Sequence, residues 1–171
     1  MERARRVDLL RVRRRLHERV AFENDVIWLR DQAPLHKGSL DLPVGFSFED
    51  LVESLNKRVF FWPGAATGPN NYGVRHFERY KEENPAVIRI EFRSLLRANS
   101  SAVPLYCRYN SGAPRCSYGR KSPRDPNTFM SAAGFKGTPA QVVEVTFCGE
   151  IELPIDSELG MKPSGPWRWL F

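Results

Sequence analysis

Residues 55–64 read LNKRVFFWPG, which places three aromatic rings side by side before a Pro-Gly pair stops the chain. A half-buried strand normally alternates apolar and polar residues, and this stretch does not. We predict a strand over residues 58–62 that the Pro-Gly pair ends. Because alternate side chains of a strand point to opposite faces, Phe61 faces away from Phe60 and Trp62. At least one ring therefore belongs to the core, and the others are either core or walls of a pocket.

Short helices and short strands are predicted on both sides of this strand. The N-terminal segment has roughly helix-spaced apolar residues with arginines on the other face, which predicts a basic amphipathic helix over residues 3–20. Ser47, with Asp50 three residues later, is typical of a helix start. The further helices are expected over residues 47–56, 74–83 and 93–99, and the further strands over residues 26–29, 86–92, 103–109 and 141–147.

These elements follow one another without repeats and without a regular strand–helix–strand rhythm, which predicts the α+β fold class. A length of 171 residues fits a single domain with a buried core. We expect this domain, residues 1–171, to consist of the basic helix at 1–20, a core over 21–155 and an aromatic tail over 156–171. The rings of the tail are expected to dock on the body.

The net charge of +6 favours a partner that carries phosphate groups or is itself a polyanion. Residues 106–124 contain no acid and interleave three tyrosines with five cations, which are Arg108, Arg115, Arg120, Lys121 and Arg124. Such a mixture either stacks nucleic-acid bases and neutralises phosphates or forms a solvated basic surface. The first interpretation predicts a DNA or RNA partner.

Three cysteines without a CxxC pair predict neither a disulfide framework nor a metal site. No apolar run approaches the ~18 residues that cross a bilayer. The basic N-terminus also lacks the apolar segment of a secretory signal. We therefore expect a cytoplasmic protein without a membrane partner.

Four pieces of the sequence stand in a suggestive order: VIWLRDQAPL (26–35), LNKRVFFWPG (55–64), YNSGAPR (109–115) with NTF (127–129), and QVVEVTF (141–147). In order and spacing they resemble a bacterial family of uncharacterised domains that is similar to ADP-ribosyltransferases of the DarT toxin type. The resemblance covers about residues 20–155. It implies a small split β-sandwich with flanking short helices that clamps NAD, as substrate, between two antiparallel sheets. ADP-ribose would then pass to a nucleic-acid or protein acceptor.

The same resemblance implies roles for individual residues. Glu144 would orient the ribose hydroxyls and stabilise the positive charge that develops at the anomeric carbon, and Arg30 would meet the diphosphate or the ribose. The cofactor-binding residues would be Phe60, Phe61 and Trp62 around the nicotinamide, with Asn110, Ser111 and Thr128 as hydrogen-bonding groups. From the residues alone, a glutamate within a strand points either to solvent or into a cleft.

One departure from the family concerns its first strand, which carries a His-x-Thr segment that contacts NAD. This sequence has no such segment and starts in the arginine-rich region that follows it. We expect that a segment upstream or another element supplies the contact, or that the protein no longer turns over NAD. Three functions therefore stay open: an ADP-ribosyltransferase, a nucleic-acid-binding module without chemistry, and a protein-interaction domain whose basic helix docks an acidic partner.

Overall fold

The computed structural model describes residues 6–171, which form three α-helices and several small sheets, none of them closed. The helices are α1 Phe48–Asn56, α2 Asn71–Tyr80 and α3 Phe92–Ala98. The strands are β1 Glu18–Phe22, β2 Asp25–Leu29, β3 Leu40–Asp41, β4 Arg58–Phe61, β5 Gly64–Ala65, β6 Gly68–Pro69, β7 Val87–Arg89, β8 Leu105–Cys107, β9 Ser122–Pro123, β10 Glu144–Cys148, β11 Glu158–Gly160 and β12 Arg168–Trp169. The predicted mixture of helices and strands is confirmed.

Contacts divide the chain into two compact units, and each unit is assembled from separate stretches of sequence. Unit 1 contains the residues up to Arg58 together with Tyr109–Phe129. Unit 2 contains Val59–Arg108 together with Met130–Phe171. The chain therefore crosses from one unit to the other three times.

The N-terminal part of unit 1 is not the predicted long helix. Its described residues form a single 3-10 turn at Val7–Leu10, after which β1 pairs antiparallel with β2. The prediction is wrong because the arginines do not form a solvated helix face. The guanidinium of Arg13 donates to the carbonyls of Gln32 and Ala33, and that of Arg14 donates to the carbonyl of Arg30. Residues 3–5 of the predicted helix lie outside the described part of the chain.

Helix α1 starts where its sequence predicts. The hydroxyl of Ser47 accepts from the backbone N–H of Asp50, whose carboxylate accepts in return from the backbone N–H of Ser47. The helix buries Leu51, Val52 and Leu55 against the body of unit 1. In the same unit, β3 and β9 form a short parallel pair with Leu40 opposite Ser122.

Unit 2 is built on a three-stranded sheet in the order β4-β10-β8. Strands β10 and β8 are antiparallel, with Glu144 opposite Cys107 and Val145 opposite Tyr106. A core of Leu95, Val145 and Phe147 packs on one face of this sheet. A second sheet has the order β12-β11-β7.

Several predicted boundaries shift in unit 2 for local reasons. Strand β7 ends before residue 92 because Glu91 accepts from the backbone N–H of Ser94 and caps α3. Strand β10 begins at Glu144 because Pro139–Gln141 forms a 3-10 turn. In the tail, Trp167 docks under the guanidinium of Arg89, at 4.5 Å from the ring centroid.

The prediction that the rings of the tail dock on the body is wrong for the last two of them. The side chains of Trp169 and Phe171 are about two-thirds exposed, at 66% and 67%. Trp169 lies in the edge strand β12, opposite Glu158. Strand pairing therefore holds the backbone of the tail in place while these two rings stay in solvent.

Candidate functional site

Glu144 occupies the first position of the central strand β10 and is only 2% exposed. The position of Glu144 is fixed by the preceding residue, Val143, whose backbone forms two hydrogen bonds. The backbone N–H of Val143 donates to the carbonyl of Cys107 at 2.8 Å. The side-chain amide of Asn70 donates to the carbonyl of Val143, also at 2.8 Å, while the Asn70 side-chain oxygen caps α2. The interpretation that Glu144 faces solvent is therefore wrong.

The central strand is buried on both faces, and the two faces differ in chemistry. Val145 and Phe147 point into the apolar core of unit 2. Glu144 and Thr146 point to the opposite face, and both are buried as well. Cys107 lies directly opposite Glu144 in the neighbouring strand, so its thiol shares that face. A buried carboxylate and a buried hydroxyl thus lie side by side on one face of the sheet.

The three consecutive rings divide between separate environments. Phe61 lies edge-on to Phe147 with ring centroids 5.9 Å apart, which makes it part of the core. Trp62 stacks on His76 at 4.4 Å and leaves no room for a side chain at Gly73. Phe60 alternates with Phe61 and therefore lies on the face of the sheet that carries Glu144. Of the three rings, the structure brings only Phe60 to the carboxylate face.

The other residues predicted to bind NAD lie in unit 1. Arg30 directly follows β2 and is half-buried, and its backbone carbonyl accepts from the side chain of Arg14. Ser111 is buried, and Thr128 is buried with its hydroxyl accepting from the backbone N–H of Asp125. The carbonyl of Asn110 accepts from the side chain of Arg124. These contacts hold the long loop of unit 1 together, and the roles in NAD binding stay predictions.

The five cations of the acid-free stretch separate into two groups. Arg124 is 2% exposed, and its guanidinium donates to the hydroxyl of Ser122 and to the carbonyls of Pro123 and Asn110. Arg108 is half-buried with its guanidinium 5.0 Å from the centroid of the Phe135 ring. These two arginines serve as internal supports and do not present their guanidinium groups to solvent.

The second group, Arg115, Arg120 and Lys121, is exposed. Within residues 6–171, none of the three forms an ion pair with a carboxylate. They line an open cavity of about 630 Å³ together with Ser117, Tyr118, Ser122 and Pro123. We refer to this cavity, with these seven lining residues, as the basic pocket.

A tight hairpin turn forms one side of the basic pocket. Ser117 and Arg120 exchange both backbone hydrogen bonds, at 2.9 and 3.0 Å. Tyr118 and Gly119 between them both have positive φ, at 49° and 72°, as a type I′ turn requires. A tyrosine rarely adopts this left-handed conformation, so Gly119 is the one residue of the turn that indicates a hairpin from sequence.

Two further findings concern the chain as a whole. Among residues 6–171, no helix combines the length and the apolarity that crossing a bilayer requires. The three cysteines lie within residues 6–171 and form no disulfide; Cys107 is buried, and Cys116 and Cys148 are exposed.

Comparison with known proteins gives a family but no activity. No curated protein and no solved structure gives a significant match to the chain. The model of the family DUF7002, described as a family of unknown function, matches residues 1–155. This match spans most of the 171 residues. The chain therefore belongs to DUF7002, a family whose function is unknown.

Proposed function

We propose that the protein is an ADP-ribosyltransferase-like enzyme that binds NAD and transfers ADP-ribose to a nucleic-acid or protein acceptor. The observation that carries this proposal is the burial of Glu144 on the polar face of the central strand of unit 2. A carboxylate that is removed from water costs free energy. Perturbed or buried ionisable groups are therefore concentrated at functional sites.

The proposed reaction uses few protein groups. The bond between the nicotinamide nitrogen and the anomeric carbon of the ribose breaks, and the electron pair leaves with nicotinamide. The carbon acquires positive charge, which the carboxylate of Glu144 stabilises, and the nucleophile of the acceptor then bonds to it and loses its proton. Stabilisation of developing charge by a fixed group is the largest single contribution in many enzymes.

Phe60 supports the proposal because it lies on the same sheet face as Glu144. A flat aromatic ring on the same sheet face as the carboxylate offers a stacking surface for the nicotinamide. Phe61 and Trp62 are assigned no such role, because they pack against Phe147 and His76. The split β-sandwich that the resemblance implies is part of the same proposal.

The proposal is tested by measuring nicotinamide release from NAD by the parent protein and by Glu144→Gln. Glutamine keeps the size of the side chain and removes its charge, so the rate should fall about 10²–10³-fold. Glu82→Gln is the matched control, because Glu82 is exposed in the same unit and its loss should leave the rate unchanged. Millimolar NAD should also raise the thermal midpoint of the parent, since a ligand that binds only the folded state stabilises it.

The competing explanation is that Glu144 serves folding alone. In that case Glu144→Gln would lower the thermal midpoint, the parent would release no nicotinamide, and NAD would not shift the midpoint. That combination of results would overturn the enzymatic proposal.

A second candidate function, nucleic-acid binding, is supported by the exposed group of Arg115, Arg120 and Lys121. Cations without carboxylate partners gain most from neutralising phosphates, and the resulting affinity falls steeply as salt rises. Binding of a fluorescent oligonucleotide should therefore weaken strongly between 50 and 200 mM salt, values at which the effect is commonly large. Absence of binding at low salt would remove this candidate.

A further inference from the structure

We propose that the basic pocket of unit 1 binds the terminal phosphate of a nucleoside monophosphate, either at the 5′ end of a polynucleotide or in a free nucleotide. This inference rests on the second proposed function and deepens it by naming the part of the nucleic acid that is recognised. It is independent of Glu144 and of NAD.

The charge of the basic pocket suits a terminal phosphate better than an internal one. Arg115, Arg120 and Lys121 bring three positive charges to a single cavity and, within residues 6–171, share them with no carboxylate. A phosphate monoester carries about −1.5 to −2 charges at pH 7, whereas each internal phosphodiester carries one. Three cations on one cavity therefore match a single dianionic group.

One of the two serines that line the pocket, Ser122, is held by a hydrogen bond to its hydroxyl oxygen. The Ser122 hydroxyl oxygen accepts from the guanidinium of the buried Arg124 at 2.8 Å. A hydroxyl that accepts through its oxygen still has its own O–H to donate. Since Ser122 lines the pocket, that O–H is available to a phosphate oxygen. Arg124 thus acts as a positioning residue for Ser122, and the pairing of Ser122 with Leu40 between β9 and β3 also keeps this serine in place.

The aromatic groups indicate that one base is recognised and not a series of bases. Tyr118 is fully exposed at the hairpin tip and is one of the residues that line the pocket. The other two tyrosines of residues 106–124 are engaged elsewhere: Tyr106 packs against the core of unit 2, and the ring of Tyr109 lies under the Arg124 guanidinium. A platform for successive bases needs several exposed rings. A single exposed ring beside a phosphate site matches a single nucleoside.

The size of the cavity agrees with this assignment. Its volume of about 630 Å³ lies within the range of roughly 300–1,000 Å³ that is usual for small-ligand sites. A phosphate and one stacked base fit within this open space without filling it. The hairpin reverses the chain between Arg115 and Lys121, and the three cations line one cavity instead of following an extended strand.

The test compares two single-stranded oligonucleotides of identical sequence, one with a 5′-phosphate and one with a 5′-hydroxyl, by fluorescence anisotropy at equal ionic strength. We expect the phosphorylated strand to bind at least about tenfold tighter, because only it carries the dianion. The double variant Arg115→Gln/Arg120→Gln should abolish this preference. Arg19→Gln, which removes an exposed charge elsewhere in unit 1, and Glu144→Gln should both retain it.

Competition separates the two sources of the ligand and tests the role of the base. Displacement of the strand by adenosine monophosphate, but not by adenosine, shows that a free nucleotide also fits. Lack of displacement assigns the pocket to strand ends. Tyr118→Ala should weaken binding several-fold, and Tyr118→Phe should not. A phosphoserine peptide that competes as well as adenosine monophosphate would overturn the assignment to a nucleoside.

The outcomes also separate this inference from the function on which it rests. Equal binding of the two oligonucleotides, with strong salt dependence, would retain nucleic-acid binding and overturn the terminal-phosphate site. Failure of both oligonucleotides to bind would overturn both. All substituted residues except Glu144 are exposed, so unchanged thermal midpoints are expected and would show that lost binding does not reflect unfolding.

Discussion

At the scale of single residues, a few polar side chains hold the irregular segments of the chain. Asn56 is one of them: its amide donates to the carbonyls of Leu9 and Leu10, and its oxygen accepts from Arg14 and Gln32. Burial lowers the pKa of the Arg14 guanidinium, yet an arginine stays charged in proteins. Side chains that satisfy several backbone groups at once replace regular secondary structure in these segments.

Arg124 gives the residue-scale prediction. Its guanidinium reaches one hydroxyl and two carbonyls from a buried position, and loss of charged hydrogen bonds to buried acceptors leaves those acceptors unsatisfied. We expect Arg124→Met to lower the free energy of unfolding by about 3 kcal/mol. Arg115→Met, at an exposed position, should change it by no more than about 0.5 kcal/mol. Urea denaturation measures both, and equal effects would contradict the structural role of Arg124.

At the scale of elements, the sequence predicted those parts whose causes are local. Helix α1 was found because its capping residues, Ser47 and Asp50, are three positions apart. The strand β1 was missed because the partners of Arg13 and Arg14 lie 16–20 residues further along the chain. An arginine that donates to a carbonyl far along the chain has the same sequence neighbours as an arginine on a solvated helix face. The local sequence therefore does not distinguish the two.

The same distinction applies to the candidate sites. The family resemblance implies the role of Glu144, whereas the alternation within its strand leaves open whether it faces solvent or a cleft. Its burial depends on how the sheet is covered. The division of the five cations into buried and exposed groups could not be predicted, because it depends on folding of the loop around Arg124. The left-handed Tyr118 contradicts the usual preference of tyrosine. Tertiary structure decided each of these features.

Gly73 in α2 gives the element-scale prediction. Alanine normally favours a helix over glycine by about 1 kcal/mol. At this position, however, an added Cβ would lie 2.8 Å from the Pro69 Cβ and 2.9 Å from the Trp62 Cβ. We therefore expect Gly73→Ala to destabilise unit 2 by about 1–3 kcal/mol, as overpacking usually does.

Gly38→Ala is the control for this prediction, because no atom lies within 4 Å of a Cβ at Gly38. Thermal unfolding followed by tryptophan fluorescence compares the two variants with the parent. A Gly73→Ala protein with a raised midpoint would show that α2 does not pack closely on Trp62.

At the scale of the whole molecule, ionised carboxyl groups link stability to pH. Hydrogen bonds hold the pKa values of five carboxyl groups below their ordinary values: Asp8, Asp50, Glu53, Glu91 and Glu158. For Glu158 the main cause is the guanidinium of Arg89, at 2.6–2.8 Å. Because its pKa is lower in the folded protein, each group takes up a proton more readily in the unfolded chain as the pH falls below its ordinary pKa. The stabilisation is therefore complete above that pKa and is lost as pH falls.

We expect the urea midpoint to stay nearly constant from pH 7 to about 5 and to fall below about 4.5, the ordinary pKa of a glutamate. Glu158→Gln should reduce the size of this fall, because it removes one of the five groups. High salt should reduce it as well, since these groups are near the surface and are screened. A midpoint that is the same at pH 4 as at pH 7 would contradict the linkage.

The three crossings of the chain between the two units have a consequence for proteolysis. A protease that cuts once, after Arg58, Arg108 or Phe129, leaves two peptide connections between the units intact. A single nick therefore cannot release either unit as a free fragment. Truncation from one terminus cannot isolate a unit either, since each contains residues from both halves of the sequence. Isolation of unit 1 requires a new peptide bond that joins Arg58 to Tyr109 in place of the segment between them.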